Sequence, residues 1–134
     1  MRATVMGFLA AALLATGNAF AQGVEIFYLG APDCHYCQHW EARSRAELLE
    51  SPEGKAARFV EIRGETLRQP IEARHYPPQY QWVFRQVGPS RGVPRFLLAV
   101  DGKVVLSAFG TEAYRQTFLP ALKEAVARRR LEKS

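Results

Sequence analysis

The sequence predicts an α/β fold in which a central mixed sheet of about four strands is flanked by helices. Strand-like and helix-like segments alternate along the chain, which is typical of a sheet covered by helices. The dipeptide Asp101-Gly102 joins the last two strands as a hairpin. The chain has 134 residues, of which 48% are hydrophobic. This is enough for one hydrophobic core and too little for two.

Four segments are predicted as strands. Residues 24–29 are a short apolar run of β-branched and aromatic residues, as expected for a strand buried on both faces. Residues 58–63 alternate between apolar and polar side chains, with a period of two. Residues 94–100 and 103–109 flank the Asp-Gly turn, so we expect them to pair in the antiparallel sense.

The first helix is predicted from Cys34 to about Leu49. Asp33 is a suitable N-cap, and Trp40, Ala46 and Leu49 are the expected apolar positions. Residues 51–54 have the composition of a turn.

Two further helices are expected in the second half of the chain. One spans residues 78–87 and ends at Gly88, and residues 64–76 before it show no clear pattern. In the last helix, Pro120 must occupy the first turn or cause a kink. The apolar face of this helix comprises Phe118, Leu122, Ala125 and Val126.

The N-terminal segment resembles a cleaved secretory signal. A basic Arg2 precedes an apolar run, and Ala19-Phe20-Ala21 has the small-residue form of a signal-peptidase site. The run is shorter than the roughly 20 residues that span a bilayer. We therefore interpret residues 1–21 as a signal peptide and residues 22–134 as a single domain exported to the bacterial periplasm.

The formal net charge of +5 does not indicate a nucleic-acid-binding protein. Part of the excess is the run Arg128-Arg129-Arg130, which is typical of a solvated helix end, where cations also suit the helix dipole. We expect no nucleic-acid partner for an exported chain.

The segment APDCHYCQHW, residues 31–40, contains both cysteines of the chain, Cys34 and Cys37. Disulfides form and persist outside the cytosol. Because the chain has only two cysteines, any intramolecular disulfide must join Cys34 to Cys37. Closing so short a loop would stabilise the fold by only about 2 kcal/mol, which makes a purely structural role unattractive. A zinc site usually takes four ligands, and this pair supplies two.

A redox role suits the spacing best. A cysteine at the start of a helix meets unpaired backbone N–H groups and the positive end of the helix dipole, which favour the thiolate. The second cysteine, one turn later, can reach the first sulfur and resolve a mixed disulfide. His35 would favour the Cys34 thiolate and Asp33 would oppose it, while Tyr36 is expected to pack or to border a substrate surface.

Together with the segment RGVPRFLLAVDGKVVL, residues 91–106, the cysteine pair resembles the thioredoxin superfamily. The pair follows a buried strand and opens a helix, and a Gly-Val-Pro later opens a strand that ends in a hairpin. The resemblance implies a thioredoxin-like fold and a cis peptide bond between Val93 and Pro94, next to the active-site disulfide. Val93 and Pro94 would then contact an extended substrate segment by strand addition.

The resemblance also has departures. The buried acid that thioredoxins carry on the strand before the motif has no clear counterpart, since Tyr28 falls near that place and Glu25 lies further back. Tyr36 before the second cysteine is similar to the periplasmic disulfide isomerases, but the chain has no room for their dimerisation domain. The motif CHYCQHW is loosely similar to small periplasmic proteins associated with sulfur oxidation.

These observations predict a periplasmic thiol–disulfide oxidoreductase, with Cys34 as nucleophile and Cys37 as resolving thiol. We expect no cofactor beyond this cysteine pair, no metal, and a monomer. The partners would be an exported protein with a reactive cysteine and a membrane redox protein that resets the pair; the small size favours a dedicated reductant. The alternative is a thioredoxin-like copper(I) metallochaperone, with His75 as a possible third ligand.

Overall fold

The computed structural model describes residues 23–134, so the predicted signal peptide lies outside the described residues. The strands are β1 (Val24–Gly30), β2 (Arg58–Arg63), β3 (Arg95–Val100) and β4 (Lys103–Phe109). The α-helices are α1 (His35–Arg43), α2 (Arg45–Glu50), α3 (Pro52–Ala56), α4 (Gln81–Val87), α5 (Gly110–Ala113) and α6 (Leu119–Glu132). Among residues 23–134, no helix has the length and apolar character required to cross a bilayer.

The four strands form one mixed sheet in the order β2-β1-β3-β4, which confirms the predicted fold class. β1 runs parallel to β2 and antiparallel to β3, and β3 and β4 form the predicted hairpin. Asp101 and Gly102 adopt φ angles of 50° and 78°, the left-handed conformation that a tight hairpin turn requires.

Apolar side chains cover both faces of the sheet. On one face, Ile26 and Tyr28 of β1 pack with α1 and α6 and with both cysteines. On the other face, Phe27 and Leu29 pack with α4 and the segment before it. Every residue of β1 is buried, as expected for a strand covered on both sides.

The predicted first helix is interrupted, which changes the residues that it buries. α1 ends at Arg43 and α2 begins at Arg45, with Ser44 between them. Leu48 is therefore the buried residue of α2, whereas Leu49 is 40% exposed and Ala46 is also exposed. The expectation that Ala46 and Leu49 face the core was wrong, because it assumed one continuous helical phase.

The C-terminal helix begins after a π-helical turn, Tyr114–Phe118, and Pro120 lies in its first turn. The preceding residues are already helical, so a proline, which has no N–H, interrupts the regular hydrogen-bonding pattern directly after the π-helical turn. Phe118, Leu122 and Val126 are buried, as predicted, and Ala125 is partly buried.

Candidate functional site

The two cysteines lie at the beginning of α1, and Cys34 itself is the N-cap residue. Its backbone is extended, with φ −89° and ψ 108°, and its Sγ accepts a hydrogen bond of 3.1 Å from the backbone N–H of Cys37. The sulfur thus takes the place of the oxygen that usually caps a helix. The expectation that Asp33 caps this helix was wrong by one residue.

Cys34 and Cys37 form a disulfide with a Cα–Cα distance of 5.1 Å. Cys34 is 3% exposed and Cys37 is fully buried. Of the two sulfurs, only that of Cys34 is therefore open to an incoming group.

The peptide bond between Val93 and Pro94 is cis, the isomer that the resemblance implies. Pro94 is buried and its carbonyl accepts a hydrogen bond of 2.9 Å from the N–H of Gly110. Leu29 of β1 pairs with Arg95 of β3, so Cys34 and Pro94 lie at the same end of the two central strands.

Val93 packs against the apolar cluster that includes both cysteines. Within residues 23–134, its backbone N–H and C=O take part in no hydrogen bond. These groups are consequently available to an extended segment of another molecule.

Asp33 contacts a loop that the sequence left unassigned. Its carboxylate accepts hydrogen bonds from the Thr66 hydroxyl at 2.5 Å and from the backbone N–H of Leu67 at 2.7 Å. The Thr66 hydrogen bond, followed by that from Leu67, lowers the pKa of Asp33. A permanent negative charge therefore lies immediately before Cys34.

His35 and Tyr36 are exposed beside the disulfide, and their rings make an edge contact with centroids 6.2 Å apart. Tyr36 is 67% exposed, so it borders the surface of the site instead of packing. Trp40, one turn after Cys37, is buried and stacks on Tyr28 with centroids 4.4 Å apart.

Tyr28 lies near the position where thioredoxins carry a buried acid, and it is hydrogen-bonded to an acidic residue, Glu41. Its hydroxyl donates a hydrogen bond of 3.2 Å to Glu41, which also accepts one of 2.8 Å from Arg63. Burial and the neighbouring Glu41 raise the pKa of Tyr28 well above its usual value, so the phenol stays protonated. Glu41 follows Cys37 by one helical turn and was missed from the sequence, because only the fold brings these three side chains together.

Glu25 is buried, and neither of its carboxylate oxygens has a hydrogen-bond partner among the residues that the structure describes. Burial raises its pKa, and the nearby Arg58 partly opposes that shift. It lies near the start of β1, whereas Cys34 follows the other end of that strand. Glu25 is therefore not a member of the site.

The third copper ligand considered above, His75, is already engaged. Its Nδ1 accepts from the N–H of Glu72 at 2.8 Å and its Nε2 contacts Glu65 at 2.6 Å. No group of three or more His, Cys, Asp or Glu side chains in the described part of the chain is arranged to hold a metal ion.

The sequence matches no protein-family model and no curated protein. The structure is similar to the periplasmic thioredoxin SoxS from Paracoccus pantotrophus, with a TM-score of 0.53 and 20% identity over 78% of this chain and 96% of that one. It is similar to a Malassezia sympodialis thioredoxin, with a TM-score of 0.55 and 15% identity over 79% of each chain. Thioredoxin F from spinach chloroplast gives a TM-score of 0.53 and 16% identity over 79% of this chain and 80% of that one. These similarities show that the chain has the thioredoxin fold.

Proposed function

With the thioredoxin fold as the premise, we propose that this chain is a thiol–disulfide oxidoreductase that exchanges disulfides with a protein partner. The observation that carries the proposal is the bonded pair Cys34–Cys37 at the start of α1, of which Cys34 alone reaches the surface. Val93, which packs against the apolar cluster that includes both cysteines, has a backbone N–H and C=O that bond to no residue in 23–134 and are open to a partner.

In the reducing direction, the thiolate of Cys34 attacks one sulfur of the partner's disulfide. The partner's S–S bond breaks, a mixed disulfide forms, and the leaving sulfur takes up a proton. The thiolate of Cys37, after losing its proton to solvent, then attacks Cys34 and releases the second partner thiol. Two electrons pass to the partner, and the Cys34–Cys37 disulfide is regenerated.

The substrate segment would lie extended along Val93. The free N–H and C=O of Val93 can form the main-chain hydrogen bonds of strand addition. Such pairing holds the substrate sulfur near Cys34 and depends little on the side chains of the substrate, so specificity must come from the surrounding surface.

We further propose that the protein acts outside the cytosol as a dedicated reductant. The signal-like segment 1–21 supports export, and one of the similar structures is a periplasmic thioredoxin. The electrons reside in the two sulfurs, so no separate cofactor is required. A membrane redox protein would reduce the pair after each cycle, and the substrate would be an exported protein that carries a reactive cysteine.

Reduction of insulin disulfides by dithiothreitol tests the activity. We expect the wild type to accelerate the reaction and Cys34→Ala to abolish the acceleration. His39→Ala is a matched control, since His39 is exposed on the same helix and has no assigned role. A wild type that gives no acceleration and retains one copper(I) ion per chain would contradict the proposal and favour the metallochaperone.

A further inference from the structure

Arg95 is an unusual residue for its position, because it is a cation that is 92% buried and has no anionic partner among residues 23–134. It follows Pro94 directly and is 8% exposed. Its Nε donates a hydrogen bond of 2.9 Å to the Ser107 hydroxyl. No other hydrogen bond and no ion pair joins its guanidinium to residues 23–134. Buried charges in proteins are ordinarily paired, so an unpaired guanidinium invites a ligand.

The guanidinium keeps a small opening to solvent. Its two terminal nitrogens form no hydrogen bond with any described residue. They are also not fully enclosed, so each keeps some contact with solvent. An anion that approaches through this opening would meet a fork of N–H donors, the geometry that suits a carboxylate.

Two aromatic residues lie near this guanidinium, and of the two only Phe109 is exposed at the opening. The guanidinium carbon of Arg95 lies 4.6 Å from the ring centroid of Phe109, which is 52% exposed. The hydroxyl of Tyr76 is fully enclosed and has no hydrogen-bond partner in the described part of the chain. Burial raises the pKa of Tyr76 to about 12, with the nearby Arg95 opposing the shift, so the phenol remains a proton donor.

The position adjoins the segment where we place the substrate. The ring of Phe109 packs against Gly92, where an added Cβ would lie only 3.0 Å from Cδ1 of the ring. Arg91, directly before Gly92, is exposed and has no ion pair within residues 23–134, so it adds positive charge to the same surface. The cysteine pair itself packs on the opposite face of the sheet, with Phe96.

We propose that Arg95 and Phe109 form a subsite that binds an acidic side chain of the substrate protein, next to the substrate's reactive cysteine. This inference rests on the proposed function and specifies the substrate class. Successive side chains of an extended segment point to opposite sides. A substrate whose cysteine faces Cys34 therefore presents its adjacent residues towards the face where Arg95 lies.

Two homodimeric disulfide peptides test the subsite. They are identical except that one carries Glu and the other Gln on both sides of its single cysteine. The reduced protein is mixed with each, and the second-order rate constant of peptide reduction is measured at low ionic strength. We expect the wild type to prefer the Glu peptide by about tenfold, the effect of one charge-assisted interaction.

The variant Arg95→Met should bring the Glu-to-Gln ratio close to one. Arg85→Met removes the same charge from an exposed residue of α4, and it should keep the wild-type ratio. Equal reduction of both peptides by the wild type would overturn the subsite and leave the oxidoreductase intact, as would a full preference in Arg95→Met. If neither peptide nor insulin is reduced, the proposed function fails and the subsite fails with it.

If Arg95→Met does not fold, the proposal is tested by the ionic-strength dependence of the Glu-to-Gln ratio in the wild type. A preference that depends on charge attraction between the guanidinium and an incoming carboxylate should decrease as salt is raised to about 1 M, where the Debye length falls to about 3 Å and the approach through the opening is screened. A preference that is unchanged by salt would contradict the proposal.

Discussion

The carboxylate of Asp33 accepts a hydrogen bond from the backbone N–H of Leu67, 34 residues further along the chain. Together with the Thr66 contact, this bond fixes the loop after β2 against the residue that precedes the first cysteine. A single side chain therefore holds part of the site surface and also places a negative charge beside Cys34.

Asp33→Asn should raise the reduction potential of the cysteine pair. The neutral side chain no longer opposes the Cys34 thiolate, so the reduced form becomes more stable, while the amide oxygen can still accept from Leu67. We expect a rise of tens of millivolts, where about 30 mV corresponds to 1.4 kcal/mol. Equilibration with glutathione measures this potential.

Asp33→Ala is the comparison for the loop, since it loses both contacts and should speed amide exchange at Leu67. An unchanged or lower potential in Asp33→Asn would contradict the electrostatic role.

His35→Pro should lower the reduction potential by a similar amount. His35 is the first residue of α1, a position where proline fits well, so the fold should persist. The change removes the imidazole and one backbone N–H near the sulfur, and both favour the thiolate. The same glutathione equilibrium gives the value. An unchanged reduction potential would show that His35 does not influence the cysteine pair.

Cys37→Ala should trap a mixed disulfide between Cys34 and the natural partner, because the buried resolving thiol is lost. Non-reducing electrophoresis of extracts from the source organism would detect the adduct. Cys34→Ala is the matched control, and it should trap nothing because Cys37 is inaccessible. A folded Cys37→Ala that captures no partner would speak against the exchange mechanism.

Glu25→Gln should stabilise the protein at neutral pH. Burial raises the folded-state pKa of Glu25, so the folded protein binds this proton more tightly than the unfolded chain. That stabilisation is complete below the unfolded value of 4.5 and is lost as the pH rises through the folded value. A neutral amide avoids the loss, so the difference in Tm from wild type should be clear at pH 7 and nearly absent at pH 4.

Thermal unfolding across this pH range measures the effect of Glu25. Glu50→Gln is a suitable control, since Glu50 is exposed and its replacement should show no such pH dependence. A Glu25→Gln protein that is less stable than wild type at pH 7 would show that the ionised carboxylate contributes to stability through Arg58.

The sheet and the cysteine pair were predictable because their signals are local. The buried strand β1 is continuous in apolar character apart from Glu25, and Asp101-Gly102 permits few conformations other than a turn. The helix break at Ser44 had no comparable signal, since no proline or glycine marks it.

The unassigned residues 64–76 could not be predicted because contacts distant in sequence hold them. Ile71 forms an isolated bridge with Ser90, and His75 contacts Glu65. The same reason explains why the partners of Tyr28 and Asp33 were missed. Local periodicity reports which face of an element is buried, but it does not report which polar side chain meets which.

The closeness of the two sulfurs also affects how the protein tolerates oxidative stress. Peroxide that reaches the reduced protein would convert the accessible Cys34 thiolate to a sulfenic acid. With Cys37 already positioned to bond to Cys34, that species should condense with release of water before a second oxidant arrives. In a lone exposed cysteine, further oxidation to a sulfinic acid is irreversible, whereas in this chain the product is the ordinary disulfide that the next reduction repairs.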